Sequence, residues 1–159
     1  MPIGVGIEFG QTVLRGAVVE RRGAQTQFVR AAEVALPTPS ELPAALARLR
    51  KDLRVNAPAV VGLPTSSAVL ATVHPLLVSP ARAALALHFE LQQHLPYDAA
   101  HAVWHYQWFA LNGRPAVAAS GRPAVVAAVK RAILDERLEL CRRAGWAVRA
   151  VSVSALAVA

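Results

Sequence analysis

The stretch Gly6-Ile7-Glu8-Phe9-Gly10-Gln11-Thr12-Val13-Leu14-Arg15-Gly16-Ala17-Val18-Val19-Glu20 decides how the rest of the chain is read. Ile3 to Phe9 alternates weakly, Thr12 to Glu20 is a second strand-like run, and Gln25 to Val34 is a third. Gly10-Gln11 and Arg21 to Ala24 are the short breaks between them, so the first third of the chain reads as a β-meander. Pro37-Thr38-Pro39-Ser40 then punctuates the sequence. Ser40 is expected to cap a helix that carries Leu42, Leu46, Leu49 and Leu53 on one stripe. Ala59 to Leu63, held between Pro58 and Pro64, reads as a short buried strand. The order is βββαβ.

A second block starts after Pro64-Thr65-Ser66-Ser67, with a strand near Val69 to Leu77 and a helix capped by Ser79 with Pro80 in its first turn. That helix is apolar on opposite sides: Leu87 and Leu91 share one face, whereas Leu85 and Phe89 lie roughly 160–200° away at about 100° per residue. It must therefore be covered twice or present one face to a partner. Leu95-Pro96-Tyr97-Asp98 ends it. Strand Ala102 to Leu111 follows with Trp104, Tyr106 and Trp108 on one face, then a loop over residues 112–122 and a strand from Ala124 to Val129. Two Gly-Arg-Pro-Ala-Val segments at residues 113 and 121 are a coincidence of composition, since two copies define no repeat fold. Arg131 to Ala144 reads as a helix closed by Gly145, Trp146 to Val153 as a strand, and Ser154 as the start of a helix that runs out after barely one turn.

At 159 residues the chain is one compact domain or two small subdomains. It can bury about 70% of its unfolded surface without disulfides or a structural metal. With 55% apolar and 17% charged residues it is neither disordered nor a charged coiled coil. Arg82, His88 and Glu90 break the longest apolar run, and Met1-Pro2-Ile3-Gly4 has no secretory character, so a cytoplasmic location is expected. Lone Cys141 reads as a buried hydrophobe. The net charge of +7 is spread as Arg21/Arg22, Arg48/Arg50/Lys51/Arg54 and Arg142/Arg143, each at the polar edge of an amphipathic element with no aromatics interleaved. That distribution argues for a solvated basic surface and against nucleic-acid binding.

Few residues carry chemistry. The early glycines lie in or at the end of a strand, which excludes a dinucleotide fingerprint. His101 and His105 have no third ligand near them, and Ser66-Ser67 lacks a nucleophile elbow. The turn after Glu8 is more informative. Gly10 lets backbone approach an anion, backbone amides and the Thr12 hydroxyl can point at it, and Arg15 follows.

GIEFGQTVLRGAVVE resembles the first phosphate loop of the actin-like ATPase superfamily. The chain in particular resembles the PilM family of type IV pilus assembly proteins and, more distantly, the cell-division protein FtsA. Val60-Val61-Gly62-Leu63-Pro64, Val73-His74-Pro75-Leu76-Leu77, the helix ending Phe89 to Asp98, Val125 to Lys130, Cys141 to Gly145 and Val151 to Ala157 resemble that family in order, over nearly the whole chain. The resemblance implies a mixed α/β fold. Residues 1–63 and 130–159 would form an actin-like, RNase H-like subdomain 1A with a five-stranded sheet, and residues 64–129 an inserted βαββ subdomain 1C. The second actin-like domain, with the other phosphate loop and the adenosine pocket, would lie outside these residues.

The same resemblance implies a non-enzymatic cytoplasmic scaffold at the inner face of the inner membrane, in pilus assembly with twitching motility or DNA uptake. It would grip the cytoplasmic tail of a PilN-like protein between 1A and 1C beside other pilus components, and would meet the membrane only through partners. Leu85, Phe89, Trp104 and Tyr106 are the candidate walls. Glu8, Gly10, Gln11, Thr12 and Arg15 would be half of an ATP/Mg2+ site; Glu8 stands where Asp is commonest, Gln11 in the usual Ser/Thr place and Arg15 for Lys. Nucleotide is expected for the full-length family and not for these residues alone. Rival readings are the actin-like domain of a GspL-like type II secretion protein and half of a small-molecule kinase.

Overall fold

A computed structural model describes residues 2–36, 38–74, 80–108 and 123–156. The chain divides into two compact units, Met1–Thr65 with Asp135–Ala159, and Ser66–Leu134.

The first unit is a five-stranded sheet. Strands β1 (Ile3–Phe9), β2 (Val13–Arg22) and β3 (Gln25–Ala35) form the antiparallel meander, followed by helix α1 (Leu42–Leu53) and strand β4 (Ala59–Leu63). The final strand, β8 (Val148–Val153), comes last in the chain yet pairs parallel to β4, giving the order β3-β2-β1-β4-β8. Residue parity sorts the two faces. Val5, Ile7, Phe9, Leu14, Val18, Val61 and Leu63 are buried on one side. The α1 stripe Leu42, Ala45, Leu46, Leu49 and Leu53 is buried with them, each leucine contributing about 2 kcal/mol of apolar burial. Gly16 permits the close approach: a Cβ there would stand 2.6 Å from Leu53 Cδ1 and 3.1 Å from Leu49 Cδ2.

Ser40 does not cap α1. Residues Pro39–Glu41 form a single 3-10 turn and Glu41 occupies the cap position without a side-chain bond, while the Thr38 hydroxyl engages Ser40 and Glu41 instead. Proline 43 in the first turn removes an amide that would otherwise need that cap. At the other end Arg54, with φ 48°, adopts the left-handed conformation that glycine usually supplies.

The second unit holds strand β5 (Ala68–Val73), helix α2 (Pro80–His94), and strands β6 (Ala102–Trp108) and β7 (Ala124–Lys130), in the all-antiparallel order β5-β7-β6. Val73, Leu87, Leu91, Ala124, Val126 and Ala128 make its core. Ser79 as a cap, the extension of β5 to Leu77 and of β6 to Leu111, and the loop over 112–122 fall outside the described residues.

Helix α3 (Arg131–Arg143) leads back to β8. It ends at Gly145 (φ 80°) as the sequence predicts, with Trp146 N–H donating to the Cys141 carbonyl and Gly145 N–H to that of Arg142. Trp146 is buried and its indole donates to the Leu46 carbonyl at 3.1 Å, tying this end to α1. Among the described residues no helix is long and apolar enough to cross a membrane.

Candidate functional site

Two places carry the residues singled out by sequence, one in each unit. The β1–β2 turn presents Gln11 and Thr12 to solvent. Gly10 N–H is taken up by the Val13 carbonyl at 3.0 Å, and the Thr12 carbonyl receives Leu36 N–H at 2.8 Å. The turn is therefore closed on itself, and the Gly10 amide is not aimed at an anion.

Glu8 and Arg15 stand opposite each other across β1 and β2, and Glu33 stands opposite Arg15 across β3. Arg15 Nε donates to Glu33 Oε1 at 2.7 Å, and Arg15 Nη1 lies 3.5 Å from Glu8 Oε2. The hydrogen bond and charge of Glu33, reinforced by Glu8, hold the Arg15 pKa above its ordinary value. All three side chains are about half exposed, so the triad contributes little to stability. It does fix where the cation points. Arg15 lies along the sheet, between two carboxylates, and not over the turn; Glu33 is the partner that sequence reasoning missed.

This triad borders a shallow cavity of about 420 Å³ on the sheet face away from α1, lined among others by Gly6, Ala17, Ala31, Val60, Gly62 and Ser154. The residues are small, and the Ser154 hydroxyl is buried with no hydrogen-bond partner among the described residues. Gly10, Gln11 and Thr12 do not line it. The structure brings Glu8 and Arg15 together and leaves the other three loop residues apart from them. As placed, Glu8 and Arg15 engage each other, the Gly10 amide is taken up within the turn, and Gln11 and Thr12 face solvent.

In the second unit Leu85 and Phe89 are exposed (57% and 58%) on the outer stripe of α2, whereas Leu87 and Leu91 are fully buried. Trp104 and Tyr106 are half-buried against that core, as is Trp108. Ring contacts of 5.8–6.2 Å run from Phe89 through His88 to Trp104, Tyr106 and Trp108, forming one aromatic strip along α2 and the edge strand β6. The periodicity of α2 gave away the exposed pair. His88, the link, carried no signal of its own. His101 sits in a 3-10 turn before β6 and does not share a strand face with His105, and among the described residues no group of His, Cys, Asp or Glu is arranged to hold a metal.

No protein-family model matches the chain, and no curated protein matches it in sequence. Solved structures do match. The PilM-PilN type IV pilus biogenesis complex superposes with a TM-score of 0.80 at 18% identity, over 97% of this chain and 48% of that one. The chain is PilM-like in fold. A second similar structure is the cytoplasmic domain of EpsL, an inner membrane component of the type II secretion system of Vibrio cholerae, with a TM-score of 0.65 and 18% identity over 94% of this chain and 57% of that one. The chain thus spans about half the length of the structures it matches. The fold shared with these structures is mixed α/β, as expected from the sequence.

Proposed function

We propose that this chain belongs to an actin-like scaffold of type IV pilus biogenesis, working at the cytoplasmic face of the inner membrane and gripping the cytoplasmic tail of a PilN-like partner. The observation that carries this reading is the superposition of nearly the whole chain on a PilM-PilN complex. The exposed Leu85 and Phe89, continuous with the Trp104–Tyr106 strip, supply the apolar surface that a tail would need. Phosphate chemistry receives no such support, because the Gly10 amide and Arg15 are engaged within the protein; the scaffold reading accordingly assigns no reaction to these residues. The same fold in the EpsL domain supports a second reading, the actin-like half of a type II secretion component.

Calorimetry with synthetic tails tests both. A PilN-like tail peptide should bind, and Phe89→Asp with Leu85→Asp should weaken it by tenfold or more, about 1.4 kcal/mol. Binding of a secretion-system tail alone would select the second reading. Binding of neither, with a chain extended through both actin-like domains, would overturn the proposal.

A further inference from the structure

The first unit carries a second feature, at the end of its first helix. At the end of α1, Ala47, Arg50, Lys51, Arg54, Val55, Asn56 and Ala144 line an open depression of about 470 Å³. Many of the described arginines are matched by carboxylates: Arg15 with Glu8 and Glu33, Arg22 with Glu20, Arg48 with Asp52, and Arg142 and Arg143 with Glu139. Among the described residues, Arg50, Lys51 and Arg54 have no carboxylate within ion-pair distance, and these three share the depression.

Two details go beyond what neutralising a helix C-terminus requires. The Arg50 guanidinium is held in place: Nη2 donates to Asn56 Oδ1 at 3.1 Å, its Cζ lies 6.0 Å from the Trp146 ring centroid, and it packs over Gly145, where a Cβ would come within 2.7 Å of Nη1. Arg54 occupies a left-handed position that disfavours a side chain, and thereby adds its charge to the rim. A held guanidinium beside two exposed cations over a small apolar floor suits a tetrahedral phosphate anion.

From this geometry we infer a phosphate-binding site formed by Arg50, Lys51, Arg54 and Asn56, for a free phosphate group or the phosphate of an anionic lipid headgroup. The site shares no residue with the proposed tail-binding surface.

Backbone NMR of the 159-residue chain, titrated with inorganic phosphate against chloride at constant ionic strength, should show saturable shifts at residues 50–56 and 144–146. Co-sedimentation with phosphatidylcholine vesicles, with and without phosphatidylglycerol, distinguishes the source: phosphatidylglycerol-dependent pelleting assigns a headgroup, and shifts without pelleting a free anion. Lys51→Gln, at an exposed residue whose ammonium makes no hydrogen bond or ion pair among the described residues, should weaken either interaction about tenfold. Arg54→Gly should weaken it similarly while raising the melting temperature, since glycine relieves the left-handed backbone. A purely structural cluster would leave binding unchanged in both variants. Neither saturable shifts nor lipid-dependent pelleting, or binding indifferent to Lys51→Gln, would overturn the inference.

Discussion

Replacing Gly10 by alanine and, separately, Gly6 by alanine sets two chemically identical changes against each other. A methyl at residue 10 would collide with the Val13 carbonyl oxygen, a backbone atom that no rotamer change can move aside. The Gly10 N–H donates to that same oxygen at 3.0 Å, so relieving the clash opens the turn. The loss combines a hydrogen bond worth about 1 kcal/mol with local backbone strain of about 1–3 kcal/mol, giving about 2–4 kcal/mol. At residue 6 a methyl would meet nothing within 4 Å, and the backbone is not left-handed. Alanine there should stabilise by about 0.4–1 kcal/mol, by restricting the unfolded chain. Urea unfolding followed by circular dichroism, with a slope of about 2 kcal/mol per molar, should lower the midpoint by about 1–2 M for Gly10→Ala and leave it equal or higher for Gly6→Ala. Equal losses at both positions would refute the closed-turn geometry and, with it, the claim that the Gly10 amide is engaged.

Glu139, hydrogen-bonded by Arg142 and Arg143, is held at about 2 against an ordinary 4.5. Because the folded value is the lower one, its contribution is complete above about 4.5 and fades as pH falls toward 2; a carboxyl NMR titration should show this, and Glu139→Gln should abolish it. Burial pushes the Cys141 thiol up to about 11, so at pH 8 alkylation should follow unfolding and not the thiol's own ionisation, as a urea series of labelling rates would show. A fluorescent ATP analogue with magnesium should show no binding to residues 1–159 at sub-millimolar concentration, because a few exposed hydrogen bonds of about 0.5–1.5 kcal/mol each do not offset the roughly 4 kcal/mol or more of freedom lost on association. Saturable micromolar binding abolished by Thr12→Ala would contradict this. Gly16→Val should cost about 1–3 kcal/mol of stability by overpacking against Leu49 and Leu53 in urea unfolding.

The strands and helices were legible because apolar spacing and proline punctuation agree with tertiary burial along most of the chain. The alternation of Val5, Ile7 and Phe9, the leucine stripe of α1 and the Gly145 stop all act locally. Partnerships across strands were harder. Counting pairs outward from the β2–β3 turn at Gly23 sets Ala32 opposite Arg15. A bulge at Val29 shifts the register by one residue and brings Glu33 there instead. Nothing in the local sequence announces that bulge, so the carboxylate that fixes Arg15 stayed hidden. The Ser40 cap failed for a related reason: Thr38 lies two residues before it and captures its hydroxyl. Exposed Leu85 and Phe89 were readable from α2 alone, whereas the basic depression depends on Gly145 and Trp146 meeting α1 from about 90 residues further along the chain.

The strand order has a consequence for synthesis. β4 ends at Leu63, but its parallel partner β8 begins only at Val148. At about 5–20 residues per second, a ribosome leaves the outer edge of β4 unpaired for on the order of 5–20 s. The intervening chain completes β5, β6 and β7, which pair among themselves and need no residue of the first sheet. The insertion can therefore be finished while its host is still half-built. Through that interval Ala59, Val61 and Leu63 form a hydrophobic strand edge in the nascent chain, the segment that a chaperone has most reason to hold.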